Sequence, residues 1–304
     1  MSCSRVLTAI RWLGALARRV KKEGLVSAIL TVLALSAVSG LALITVFIFK
    51  EGLPLMMRVG FRDFILSNEW YPLEGKFGIF PMIVGSLAVT AGAMVIGVVF
   101  GVGVAILLTQ FCPPRLVGLL KPAIELLAGI PSVVYGFMGV VLLVPLIRER
   151  LGGSGLCVLA ASIVLGIMVL PTVISISVDA LQAVPRPYFE GSIALGATEW
   201  QTAHMVMLRA ARSGIVAAII LGMGRAIGET MAVIMVAGNS IALPHGPLDS
   251  VRTLTSNIAL EMSYAAGDHR RALFATGVVL FVVIMIFNTV ALALSRRRVG
   301  GGRR

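Results

Sequence analysis

The sequence predicts an all-α integral membrane protein with six transmembrane helices and both termini in the cytoplasm. Three observations carry that expectation. Of 304 residues, 58% are hydrophobic and 13% charged, whereas a soluble domain carries about 25% charged residues. Six apolar stretches are each long enough to cross a bilayer, which takes about 20 mostly apolar residues. Lysine and arginine favour alternate intervals between those stretches, as the positive-inside bias requires.

The first stretch, residues 25–49, has no charge until Lys50. Its apolar core is too long for a cleaved leader, and no small-residue cleavage site stands out, so it reads as an anchor. The second lies near residues 80–108. The third runs about 122–147, with Glu125 near its start and Pro131 and Pro145 inside. The fourth spans 156–178 and contains Pro171, the fifth 214–238, and the sixth 272–294. The intervals between them are short and leave no room for a soluble domain.

With the N-terminus inside, the inner segments are 1–24, 110–122, 182–212 and 295–304. They hold sixteen of the 26 Lys and Arg residues, the outer segments hold nine, and the last is Arg225. The outer segments also carry most of the acids, including Glu69, Glu74, Asp249, Glu261 and Asp268, so the outer face is nearly neutral. The net charge of +12 therefore belongs to cytoplasmic membrane ends, and no basic domain remains to bind nucleic acid. Cys3, Cys112 and Cys157 fit neither a disulfide framework nor a metal site. His204, His245 and His269 fall in loops and read as solvated. Asn288 and Thr90 read as helix–helix hydrogen-bonding residues.

The fifth stretch contains "GMGRAIGET" (Gly222–Thr230). Arg225 and Glu229 stand four residues apart in an apolar run, so in a continuous helix they share a face. An ionised side chain at a helix centre costs roughly 2.5–3.5 kcal/mol on insertion scales. Counted from Ser213 at about 1.5 Å per residue, Arg225 lies roughly 18 Å along the helix, near mid-bilayer. A structural ion pair is one explanation. A cation facing a pathway and meeting an anion is the other. Gly224 and Gly228 form a small-xxx-small pair, with Gly222 nearby, which predicts close approach of another backbone. The glycines do not form a nucleotide loop: no strand precedes them and no Gly-Lys-Ser/Thr follows.

The inner interval "AVPRPYFEGSIALGATEWQTAHMVMLRAARSG" (Ala183–Gly214) is long and helical in character. Pro185 and Pro187 detach it from the fourth helix. Gly196 falls where a turn between two short helices belongs. Such a piece either docks a soluble partner or lies on the lipid surface.

Residues Glu190–Leu208 resemble the "EAA" loop of permeases in ATP-binding-cassette importers. Glu190 and Gly196 stand at the motif's spacing, with Val206 and Leu208 following. "EGS" replaces E-A-A, and Arg209 stands at the usual proline position, which leaves the second short helix straighter. More specifically, "GRAIGETMAVIMVAGN" (Gly224–Asn239), "FGIFPMIVGSL" (Phe77–Leu87), "CPPRL" (Cys112–Leu116) and "ELLAGIPSVVYGF" (Glu125–Phe137) resemble the PstC family of phosphate-importer permeases. Related sulfate and molybdate permeases tend to carry G-E-F where this chain has Gly228-Glu229-Thr230.

The resemblance implies a type I ABC importer permease fold in the plasma membrane. Its core would be residues 77–294 with a coupling loop at 183–213, preceded by a basic tail (1–24) and a first helix (25–49) and followed by a basic tail (295–304). It implies a PstA-like second permease, a PstB-like ATPase dimer that uses ATP and Mg, and a PstS-like phosphate-binding protein. This chain would itself be no enzyme and bind no cofactor. Arg225 and Glu229 would act in the substrate pathway, Glu190 and Gly196 in coupling, and Gly222, Gly224 and Gly228 in close helix packing. A permease for another oxyanion, or a secondary anion transporter or channel, is the alternative; the latter leaves the EAA-like loop unexplained.

Overall fold

A computed structural model describes the backbone of residues 3–299 and the side chains of residues 26–289. The side chains of both basic tails, 1–24 and 295–304, lie outside the described residues. The chain divides at Glu51/Gly52 into two compact units. The first holds most of the long helix α1 (Cys3–Val59). Side chains 26–44 of that helix are all exposed. An apolar helix left bare in this way suits a lipid surround.

The second unit opens on a short helix α2 (Phe61–Leu66) and a hairpin. Strand β1 (Trp70–Tyr71) pairs antiparallel with β2 (Lys76–Phe77), Trp70 facing Phe77. Gly75 closes the turn at φ +73°, a left-handed backbone that glycine adopts without steric cost. Both anchoring aromatics, Trp70 and Phe77, are buried, while Leu73 at the tip is 100% exposed.

Helix α3 (Phe80–Ile106) follows, then α4 (Pro114–Ala128), α5 (Ser132–Met138), α6 (Val144–Leu151) and α7 (Val158–Gln182). Helices α3 and α7 are the centre of the unit. They pack closely because α3 presents glycine: a Cβ added at Gly97 or Gly101 would come within 3.2 Å of Val169 or 2.8 Å of Val173. Helix α11 (Arg212–Gly228) packs on α7 as well. There a Cβ at Gly222 would lie 2.8 Å from the same Val169 and 3.0 Å from Val173.

Two expected spans differ from the structure. The third does not run through Pro131. Helix α4 ends at Ala128, and the span begins at Ser132 and continues to Leu151. Proline disfavours helical geometry in the residue before it, so the chain turns at Gly129–Pro131. Glu125 consequently lies exposed on α4, outside the span.

The fifth span, expected over 214–238, is broken once, after Gly228, and a sharp bend precedes it. Between α7 and α11 lie α8 (Arg186–Ala194), α9 (Glu199–Gln201), a wide π-type turn (Thr202–Met207) and α10 (Leu208–Ala210). The Glu199–Ala210 piece meets α11 at 73°. At its other end α11 stops at Gly228, and α12 (Met231–Val236) restarts the helix after an extended Glu229. Among the described residues five helices are long and apolar enough to span, and six if the bent pair counts as one span.

Residues 237–266, between the fifth and sixth expected spans, are partly helical and partly buried. They contain the short helix α13 (Leu254–Glu261), whose first four residues, Leu254–Asn257, are buried. The last helix, α14 (Gly267–Val299), follows. Asn239 takes φ +56° and donates Nδ2 to Ile234 O at 2.7 Å, closing the end of α12. Nearby, the Asp249 carboxylate accepts the backbone N–H groups of His245 (2.7 Å) and Gly246 (2.9 Å). These bonds hold its carboxyl below the ordinary value of 3.8. What they contribute to the turn is present above the ordinary value and lost as pH falls through the lowered one.

Topology gives a first testable outcome. Maleimide applied outside intact cells should label Leu73→Cys and Lys76→Cys and spare Arg186→Cys and Leu195→Cys. All four sites are exposed, so access alone separates them. Arg252 is a poor reporter because its side chain is only 17% exposed. Labelling of Arg186→Cys or Leu195→Cys from outside would overturn the six-span arrangement.

Candidate functional site

The centre of interest is the outer end of α11. Arg225 lies in its last turn, and the helix closes at Gly228. Glu229 then takes φ −70°, ψ 131°, an extended conformation outside the helix that carries Arg225. The expected face-sharing does not occur, because a helix must continue through both residues for i and i+4 to align. No ion pair joins Arg225 to Glu229 among the described residues.

Each finds a different partner. Arg225 Nη1 donates to Thr172 Oγ1 on α7 at 3.3 Å. Glu229 Oε1 accepts the N–H of Ala232 at 3.2 Å, satisfying one of the donors left open at the start of α12. The Glu229 carbonyl accepts from Thr255 Oγ1 of α13 at 3.0 Å. Both side chains are half-buried. Arg225 is thus a cation within a transmembrane segment, hydrogen-bonded to a neutral hydroxyl and paired with no acid among the described residues. A charge placed so is a functional-site signal by default, because leaving it out removes the insertion cost.

The glycines divide. Gly222 is packed against Val169 and Val173, but a Cβ at Gly224 or Gly228 would meet nothing within 4 Å. Close packing expected at those two positions is not met within this chain. They leave the surface beside Arg225 open, flanked by exposed Leu221 and Met231.

The inner loop forms the second part of the site. Helix α8 ends in a Schellman motif: Ala197 N–H donates to Ser192 O (3.2 Å) and Gly196 N–H to Ile193 O (2.9 Å). Gly196 sits at φ +88° with open space around it, so backbone angle is what requires glycine there. A capping box then starts α9: Gln201 N–H donates to Thr198 Oγ1 (3.2 Å) and Thr198 N–H to Gln201 Oε1 (2.9 Å). Ser192 and Thr202 hydroxyls bond at 2.9 Å and tie the two pieces. Sequence reasoning missed Thr198 and Gln201, although the T-x-x-Q spacing was available as a signal. Glu190 is exposed on α8 and lines, with Arg186, Gln110 and Gln182, a cavity of about 540 Å³. Leu195, Trp200, Tyr188 and Met205 are also exposed, which gives the loop an apolar surface.

A family model for the binding-protein-dependent transport system inner membrane component matches residues 97–300. The chain belongs to that family. The match takes in α7, the inner loop and the break after α11, and overlaps the expected core of 77–294 over residues 97–294. Among relatives, the probable ABC transporter permease protein YqgH of Bacillus subtilis is 41% identical over 277 residues, 89% of this chain and 90% of its own length. The phosphate transport system permease protein PstC of Pasteurella multocida is 34% identical over 77% of this chain and 78% of its own length. PstC of Haemophilus influenzae is 35% identical over 77% and 79%.

Solved structures share the fold. A chain of the MetNI methionine ABC transporter, in an inward-facing form, superposes with a TM-score of 0.59 at 19% identity, covering 76% of this chain and 99% of that one. A chain of a bacterial ABC transporter that imports alginate gives 0.61 at 14%, covering 93% and 99%. The protein is a multi-pass inner-membrane component with the permease fold of ABC importers.

Proposed function

We propose that this inner-membrane component is the permease subunit of an ATP-driven phosphate importer. Relatives along most of its length are phosphate transport permeases. The observation that carries the reading is Arg225: a guanidinium inside the membrane, without an acid partner among the described residues, beside an open glycine surface. Phosphate carries one to two negative charges near neutral pH. Guanidinium stays charged in a poor dielectric and offers a planar fork of donors matched to two oxyanion oxygens. Glu229 has one carboxylate oxygen bonded to Ala232 N–H; the other can accept from a protonated phosphate, which sulfate cannot imitate at neutral pH.

The pathway in this reading lies between this chain and a PstA-like permease, which covers the surface at Gly224 and Gly228. A PstB-like ATPase dimer docks on the Glu190–Gly196 loop and supplies ATP and Mg chemistry. A PstS-like protein delivers phosphate from outside. In cells lacking other phosphate importers, the chain with its three partner types should restore labelled-phosphate uptake. Unlabelled sulfate or molybdate should not compete. Uptake of sulfate or molybdate in preference to phosphate would transfer the assignment to another oxyanion, and uptake without the ATPase would indicate a secondary transporter or channel.

A further inference from the structure

The outer segment carries a buried ionic cluster that transport chemistry at Arg225 does not use. Its centre is Glu261, at the end of α13 and only 7% exposed. Oε1 accepts from Arg252 Nη1 at 2.6 Å. Oε2 accepts from Trp70 Nε1 at 2.9 Å and bonds His269 Nε2 at 2.8 Å. His269 reads as solvated in the sequence and is instead a partner in this cluster, its side chain 14% exposed. Arg252 reaches further, to Asn239 O at 3.0 Å and Asn257 Oδ1 at 3.1 Å. One carboxylate therefore joins the hairpin, the segment after α12, α13 and the start of α14.

The other end of α13 is tied downward. Thr255 bonds the Glu229 carbonyl, and Leu254 N–H donates to Ser86 Oγ on α3 at 2.9 Å. Beneath these contacts Ser86, Thr90, Glu229, Thr253 and Thr255 line one narrow pocket. Thr90 is 7% exposed there, and no hydrogen bond of its hydroxyl is found among the described residues. The expected helix–helix bond of Thr90 is thus not made.

We infer that residues 239–261 are an outer gate over the break at Glu229, and that Glu261 is the positioning residue that holds it shut. This rests on reading the chain as part of an import pathway. A carboxylate buried among donors is held by all of them, and removing its charge leaves donors facing a donor. Glu261→Gln does this with little change of shape, since one oxygen becomes an NH₂ opposite Arg252 or opposite Trp70 and His269. Trp70→Phe is milder: it keeps an aromatic ring and deletes one N–H.

The test reads access from outside and not cargo. Thr90→Cys is placed in the assembled transporter, with Cys3, Cys112 and Cys157 changed to Ser. Membrane-impermeant maleimide is applied outside, with Leu73→Cys as the fully exposed control. With Glu261 intact, Thr90→Cys should react far more slowly than the control. Adding Glu261→Gln should speed its labelling by at least about tenfold, and Trp70→Phe by about two- to threefold, as the closed state loses one or more buried bonds. A merely structural Glu261 would lower the membrane level and leave the labelling rate of the remaining protein unchanged. No acceleration in Glu261→Gln at matched membrane levels overturns the gate. If that variant does not accumulate, no acceleration in Trp70→Phe overturns it. Because labelling needs no phosphate, failure of the phosphate reading would appear in the uptake assay and leave this result standing.

Discussion

Arg225→Ala should abolish labelled-phosphate uptake while the chain still inserts and assembles. Losing a charged, bidentate contact corresponds to roughly 1.5–3 kcal/mol per hydrogen bond, so a loss of about 100-fold or more is expected. The structure adds that this variant does not strand Glu229, whose carboxylate is held by the N–H of Ala232 and not by Arg225. Among the described residues, the hydrogen bond it forfeits is the one to Thr172. Arg225→Lys keeps the charge without the fork and should retain a minor fraction of the rate. Membrane levels and co-purification of the second permease, measured in parallel, separate lost transport from lost assembly. Full uptake by the lysine variant would show that point charge alone suffices.

Gly196→Pro should uncouple the transporter. Proline fixes φ near −65° and has no N–H, whereas Gly196 holds φ +88° and donates to Ile193 O. The Schellman turn and the capping box behind it would both be lost, and with them the shape of the exposed loop. Uptake should fall to background and the ATPase should no longer co-purify, while the spans remain inserted. Gly196→Asn should be milder, since asparagine tolerates the left-handed region better than other side chains. Normal uptake by the proline variant would remove the loop from coupling.

Six spans, the inner loop and its glycine turn are legible in the sequence because each is a local signal. Apolar length, proline positions and basic bias act over windows of tens of residues. Gly196 is legible for the same reason: a glycine after a short apolar helix needs only its own neighbours. The break at Glu229 is not. "GRAIGETMAV" is compatible with a continuous helix, and the partner that takes up the Glu229 carbonyl at the break, Thr255, comes from 26 residues further on. The third span is misplaced for a related reason: Pro131 reads equally as a kink within a helix or as its start. The outer cluster is invisible. Trp70, Arg252, Glu261 and His269 come from four separate elements, and each looks like an ordinary loop residue until the fold collects them around one carboxylate. Of the site, Arg225 announces itself by its cost in lipid, but its partner is Thr172 and not the nearest acid in sequence.

The central claim is that Arg225 acts on the transported anion and is not there to hold helices together. The most direct test is the double variant Arg225→Leu with Glu229→Leu, which removes both intramembrane charges at once. Two leucines avoid the insertion cost of both charges, so the protein should insert, assemble and bind its ATPase. Labelled-phosphate uptake is then measured in cells lacking other phosphate importers, at membrane levels matched to the parent chain. The expected result is a fully assembled transporter with uptake at background. Near-normal uptake by the leucine pair would contradict the account, since it would mean that neither charge is needed for phosphate to cross.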